Sequence, residues 1–579
     1  MNIAQSYNSG QDDHDEVLTR KLLGWYAQDI AHVSAWRHEA REDYAFYHGD
    51  QWATDDLFHL REQKRPVMTF NRIAPLVNAV IGAEINNRRQ LRYVPREEGD
   101  VVANELLTGA GEWFRDQAGA EDEESEAFAD TVIAGMGWID TRLDFEGDGD
   151  GKPLMQRLDP FKMLWDSGAV KANLSDANRL WYVDEKSYEE AQALFPDVGR
   201  EDLHAGWAAG DASSPNPHDN DGDNAYFSGQ GSGKEVGAKR CIVVECRWLE
   251  REAYYRAADF LTGEIREYSE KEMMEILQKM PDLPHVKQWR KVVRRAFLGR
   301  KLLAAPDQPL VPAGSFGWEC MTGYFDMVKR QFYGLVRPTK DPQRWANKFF
   351  SQVMYLLNAQ AKGGIMAERG AFDDDRQAED SLARADQITW VKNGVLASGG
   401  GRIQPKPVAQ FPSGFFALFN ESKEAIAQVT GLSPEFIGTR GISQAGVLEA
   451  QRRQSSLNLL ASLFNALRRY RKRQGLIVLY LIQNYLSDGR LIRIVGENNS
   501  RYVPLTRAEV AHQNYDIIVD DAPTSPNEKE RTFAIIQQLL PLVKDYITPE
   551  MGLEILRYSP LPASLIERWE RLLRQVSPP

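Results

Sequence analysis

Several stretches of the 579-residue sequence carry residue types whose spacing could do chemistry. Asp148 and Asp150 sit in a glycine-rich turn, and Asp219, Asp221 and Asp223 alternate in a second one, as carboxylates do in calcium loops. Neither loop is complete. The first lacks a closing carboxylate at its twelfth position; in the second Asn224 stands where the turn glycine belongs and Gln230 where the bidentate Glu belongs. Residues 229–235 (GQGSGKE) have the flavour of a phosphate loop, but Ser228 takes the first glycine position and Glu235 replaces the magnesium-binding Ser or Thr. The carboxylate pairs Asp55-Asp56 and Asp520-Asp521 lie in acidic turns, where solvation is their ordinary fate. There is no HExxH, CxxC or GxSxG pattern, so the expectation is a protein with no catalytic residues, no cofactor and no metal site. Dispersed Asp and Glu can still assemble a metal-dependent nuclease, which keeps a DNA-processing enzyme as the alternative class.

Positive charge is concentrated in two places. Seven Lys or Arg fall between residues 287 and 301, namely Lys287, Arg290, Lys291, Arg294, Arg295, Arg300 and Lys301. A charged face on an edge strand, a docking face for an acidic partner and a DNA contact are the three readings of this cluster. The second run is Arg468, Arg469, Arg471, Lys472 and Arg473, read as salt bridges between subunits, a solvated face or a DNA contact. Against both stands a net charge of −13, which disfavours a protein that must grip nucleic acid through many phosphates. Three cysteines, Cys241, Cys246 and Cys320, read as buried thiols of a reducing compartment. The polar, acidic amino terminus argues against a secretory signal, and no apolar run is long enough to span a bilayer, so no membrane partner is expected.

The elements that must position these residues follow from periodicity. A tail over 1–16 is expected to be disordered, followed by a long helix to Tyr47 that ends at Gly49. Asn71 should cap a helix running from Pro75, further helices are expected over 101–118 and 121–136, and a hairpin over 138–158. Strands are expected over 239–250, 253–260 and 389–395, a short helix near 269–280, and a strand-like, turn-rich segment over 286–334. In residues 337–361 Asp341 and Pro342 start a helix of roughly 30 Å whose apolar stripe is Trp345, Phe349, Val353 and Leu356. Its other face carries Arg344, Asn347, Ser351 and Asn358, with fewer Lys and Glu than a solvated face usually has. A helix over 447–486, with Gly475 as its kink point, and helices after the Ser525/Glu528 capping box complete the chain.

Two stretches resemble the portal proteins of short-tailed bacteriophages, the rings through which genomic DNA enters and leaves a capsid. One is residues 47–95, with Tyr47-His48-Gly49-Asp50-Gln51-Trp52, Arg65-Pro66-Val67-Met68-Thr69-Phe70-Asn71-Arg72-Ile73 and Asn86-Asn87-Arg88-Arg89; the other is 335–347, LVRPTKDPQRWAN. The resemblance implies an α+β, mainly helical portal fold with short β elements in wing and clip. Its expected regions are a wing over 17–265, a first stem helix over 266–285, a clip over 286–335 and a second stem helix over 336–362. A wing with channel loop and long helix over 363–522 and a crown over 523–579, without an extended helical barrel, would follow. It further implies a closed homo-oligomer of twelve subunits at one capsid vertex, built in the host cytoplasm and carried in the virion. Double-stranded DNA would pass along the axis. The large terminase subunit, a tail or adaptor protein, and major capsid and scaffolding proteins would be partners. On this reading the 287–301 cluster is the clip docking face, and Lys340, Arg344, Asn347 and Ser351 face the channel. A head-tail adaptor without a channel is a further alternative.

Overall fold

The computed structural model describes residues 3–86, 89–95, 101–199, 203, 240–258, 265–299, 301–362, 365–383, 388–395, 403–405, 413–432, 458–485, 491–495, 500–504 and 515–521. The expected crown, the loop at 205–235 and the stretch 433–457 lie outside them. The chain divides into two compact units. The larger takes Met1–Glu42, Asn78–Gly334 and Leu460–Pro579, the smaller Asp43–Val77 and Leu335–Leu459. Both are mixed helix and sheet, as expected of an α+β protein.

In the larger unit, strand Met136–Asp144 is the middle of a three-stranded antiparallel sheet, with Lys152–Leu158 on one side and Trp318–Thr322 on the other. Helix Ala120–Ala134 lies on this sheet and turns into it at Gly135, whose φ of 88° only glycine adopts freely. Two residues on, a Cβ at Gly137 would stand 1.8 Å from the Ala127 carbonyl oxygen, so the helix and strand can meet only at a glycine. Trp36 packs edge-on to Trp165, ring centroids 5.3 Å apart, and donates its indole N–H to the Ala134 carbonyl, tying the first helix to this layer. A second sheet runs Met163–Trp165, Arg179–Ser187, Arg240–Ala258 and Ile265–Ser269, with His285–Leu298 also pairing Arg240–Ala258. A third core, formed by Leu107, Phe114, Ile477 and Leu481, holds helix Val101–Gln117 against helix Ala461–Tyr485.

In the smaller unit, helix Lys340–Lys362 packs on helix Ser413–Thr430, with Phe350 and Phe419 rings 5.6 Å apart. Between these helices the chain makes a small α/β insert: strand Ile365–Ala367 pairs antiparallel with Ile403–Pro405, and helix Asp375–Ala383 lies between them in sequence.

Several expectations change. The first helix spans Ile3–His48 and so takes in the residues read as a disordered tail; once its later turns are packed, each added polar residue gains a hydrogen bond for one residue fixed. The two strands at 239–260 are one strand of 19 residues, Arg240–Ala258. Glu250-Arg251-Glu252 reads as a break in sequence, but a two-stranded ribbon tolerates charges on both faces. The helix expected over 266–285 is only Glu270–Lys279, capped by Ser269 and Glu272, and 265–269 is strand. Residues 286–335 are no separate insert between helices, because His285–Leu298 and Trp318–Thr322 are strands of the two sheets of the larger unit. Residues 388–395 form no strand, and Gly475 sits inside an unbroken helix, its carbonyl accepting from the Tyr93 hydroxyl at 3.3 Å.

Candidate functional site

The two stretches that carry the family resemblance meet in the smaller unit. Residues 65–72 run extended beside helix Lys340–Lys362, and alternate backbone N–H groups of that segment donate to helix side chains one turn apart. Met68 donates to Ser351 Oγ at 3.1 Å, Phe70 to Asn347 Oδ1 at 3.1 Å and Arg72 to Gln343 Oε1 at 3.4 Å. Two residues of extended chain advance about 6.6 Å and four residues of helix about 6 Å, so the two repeats stay in step over three rungs. Gln343 Nε2 returns a bond to the Phe70 carbonyl at 2.7 Å, and Asn347 Nδ2 donates to Gln51 Oε1 at 2.7 Å. Gln51 in turn donates to Asn71 Oδ1, which also accepts from the N–H groups of Ile73 and Ala74, the cap expected at that helix start. At the head of the same face Lys340 reaches the fully buried Asp43 at 2.8 Å, with Arg337 at 3.6 Å.

This geometry departs from the expected amphipathicity in the first half of the helix. Lys340, Gln343, Asn347 and Ser351 are buried, while Trp345 is 54% exposed and stacks on Phe349; further along, Val353 of the expected apolar stripe is buried and Asn358 is exposed, as expected. Of the four residues expected to face a channel, Lys340, Asn347 and Ser351 are therefore turned into the chain's own fold, and Arg344 alone keeps partial exposure, over the Phe46 ring. Neutral amides and a hydroxyl are the right chemistry to partner the half-buried backbone N–H groups of this segment. The scarcity of Lys and Glu on that face was the signal in the sequence.

The basic cluster is also rearranged. Lys287 bonds Glu270 at 3.0 Å, Arg290 reaches Glu252 at 3.5 Å, Arg294 reaches Glu250 at 3.2 Å, and Arg295 pairs with Asp307. Lys291 is exposed and stands opposite Arg251, Lys301 borders a groove with Asp15 and Arg20, and Arg300 lies outside the described residues. Of the other basic run, Arg468, Arg469 and Lys472 are exposed, Arg473 pairs with Glu319, and Arg471 is buried. Arg471 bonds Glu84 at 2.9 Å and Glu124 at 3.0 Å, and Glu124 also takes Arg115 at 2.6 Å. Burial opposes the charge on Glu124, but the two guanidiniums outweigh it and hold the carboxyl down to about 2. Sequence reasoning missed this centre, because nothing in the spacing of Glu84, Arg115, Glu124 and Arg471 announces that they meet.

Among the described residues no group of three or more His, Cys, Asp or Glu is placed to hold a metal ion, and no helix is long and apolar enough to cross a membrane. The site is thus a structural joint made of amides, backbone and a buried carboxylate with two cations, with no arrangement of nucleophile and base among the described residues.

The sequence profile of the phage P22-like portal proteins matches residues 23–579, nearly the whole chain. The chain belongs to the phage P22-like portal protein family. A portal protein of Helicobacter pylori bacteriophage KHP30 is 25% identical over 160 residues, a stretch that is 28% of this chain and 27% of that relative. The chain thus spans about a quarter of the relative it matches. Portal-family proteins are structural, and both joined stretches, 47–95 and 335–347, fall within the matched residues.

Proposed function

We propose that this chain is the subunit of a homo-oligomeric portal ring at one capsid vertex, a passive channel for double-stranded DNA during packaging and ejection. The observation that carries the reading is the smaller unit's order of helix, α/β insert, helix, within a chain of this family. A portal clip is an α/β insert carried between two stem helices. On that criterion the stem is Lys340–Lys362 with Ser413–Thr430, and the clip is the segment holding Ile365–Ala367, Asp375–Ala383 and Ile403–Pro405. The larger unit then serves as the wing, and residues 523–579 as the crown. The outward side of the first stem helix, with Arg344, Trp345 and Lys348, is the part available to a channel or a neighbouring subunit. The large terminase subunit and a tail or adaptor protein would dock at the clip, and capsid and scaffolding proteins at the wing. Neutral polar joints and an overall negative charge suit a conduit that must not hold DNA.

The test is the native mass of the purified full chain, with class averages by electron microscopy. Twelve copies of a 65.7 kDa chain weigh about 790 kDa, and a closed ring with an axial hole near that mass is the expected result. A ring of neighbouring subunit number would keep the function. A monomer or dimer that stays small with scaffolding protein present, and cuts DNA when metal is added, would replace this reading with that of a DNA-processing enzyme.

A further inference from the structure

The ribbon made by Arg240–Ala258 and His285–Leu298 divides the basic cluster between two faces. On one face Arg290 and Arg294 answer Glu252 and Glu250, and the charges cancel. On the other face the register sets Lys291 directly opposite Arg251, both exposed, and neither has a carboxylate partner among the described residues. Like charges directly opposed on neighbouring strands destabilise the pairing, so this arrangement weakens the ribbon. Trp289, two residues from Lys291 and hence on the same face, lies opposite Ala253 and is 63% exposed, a large apolar surface left in water. Lys287, two residues further back and bonded to Glu270, stands 5.3 Å over the Trp289 ring. Along residues 285–294 the strand pairs only with Arg240–Ala258 among the described residues, and the bridge from Arg295 to Asp307 closes its outer edge beyond that point.

An unsatisfied pair of cations, an exposed indole and an open strand edge, all on one ribbon, are complementary to one kind of ligand. We propose that this ribbon docks an extended acidic segment of a partner protein, which adds along the His285–Leu298 edge, sets a carboxylate between Arg251 and Lys291, and covers Trp289 with an apolar side chain. A nucleic-acid backbone fits less well. Two unpaired cations release few counterions, too few for a phosphate backbone to be held by charge. The inference does not depend on ring formation, since the ribbon belongs to the larger unit alone.

The experiment uses the purified full chain and a labelled short peptide of alternating aspartate and leucine, read by fluorescence anisotropy at low and high salt. Salt-sensitive binding is expected, about tenfold weaker in Lys291→Glu or Arg251→Glu and several-fold weaker in Trp289→Ala, but unchanged in Arg290→Gln on the opposite face. Lys291→Glu should also raise Tm slightly, because it turns a repulsive cross-strand pair into an attractive one; a residue kept for stability would not gain stability while losing the ligand. The proposal is overturned if the acidic peptide does not bind, or if a lysine-leucine peptide binds equally. It is also overturned if a short DNA duplex binds more tightly than the peptide, or if Lys291→Glu lowers Tm.

Discussion

The Asn347 side chain accepts the backbone N–H of Phe70 at 3.1 Å, joining residues 277 apart in sequence. The same amide donates to Gln51, so a single helix residue satisfies the extended segment and the loop after the first helix together. The two stretches that carry the family resemblance are thus halves of one joint.

Breaking that joint should cost stability out of proportion to the atoms removed. Asn347→Leu leaves the Phe70 N–H and the Gln51 carbonyl without their partner, and a loss of about 1 to 3 kcal/mol is expected, most of it from the buried Gln51 oxygen, since the Phe70 N–H is only half-buried. Urea unfolding of the variant would measure it. A double-mutant cycle with Gln343→Leu should show coupling above about 0.5 kcal/mol, because Gln343 Nε2 also donates to Asn347 Oδ1.

The outer side of the same helix should behave in the opposite way. Trp345→Ser removes the largest apolar side chain of the helix, and a buried tryptophan would cost about 3 to 5 kcal/mol. At 54% exposure the expected loss in the unassembled chain is under about 1 kcal/mol. A loss of several kcal/mol in thermal unfolding would restore the sequence-based orientation of the helix.

Asp43 is fully buried, and Lys340 is its closest cation. Lys340→Met is expected to destabilise the smaller unit by about 2 kcal/mol, because it removes the nearer cation from a buried carboxylate and leaves it the more distant Arg337. The double variant Lys340→Met with Asp43→Leu should recover much of that loss, which chemical denaturation of the single and double variants would show.

Acid stability should depend on Glu124. Its carboxyl is held at about 2, below its ordinary value of 4.5, so it contributes stability that is fully present above about pH 4.5 and is lost as pH falls towards 2. The shift corresponds to roughly 3 kcal/mol. Tm measured between pH 6 and pH 3 should fall less steeply in Glu124→Gln than in the natural chain, though the variant starts lower. Arg471→Met should lower Tm at every pH in this range, because Glu84 and Glu124 both lose a buried partner.

Much of this protein was legible in its residues. Periodicity located the helices at 73–86, 101–117 and 120–134, the hairpin after them and the Asn71 cap, because each is set by contacts within a few residues. The portal-like motifs were legible for the same reason. Three matters were decided only by tertiary structure. Helical spacing gives two faces but not which one is buried: the polar face of 340–351 turns inward because an extended segment with unsatisfied amides lies there, and that segment is remote in sequence. Charge clusters likewise reveal the sign of a stretch but not its partners, so the pairing of Lys287, Arg290, Arg294 and Arg295 with carboxylates, and the place of Lys291 opposite Arg251, came from the structure alone. Finally, that residues 285–298 and 318–322 are strands of the larger unit's sheets became visible only with the pairing, since a strand's neighbour depends on contacts far along the chain and local propensity says little about it.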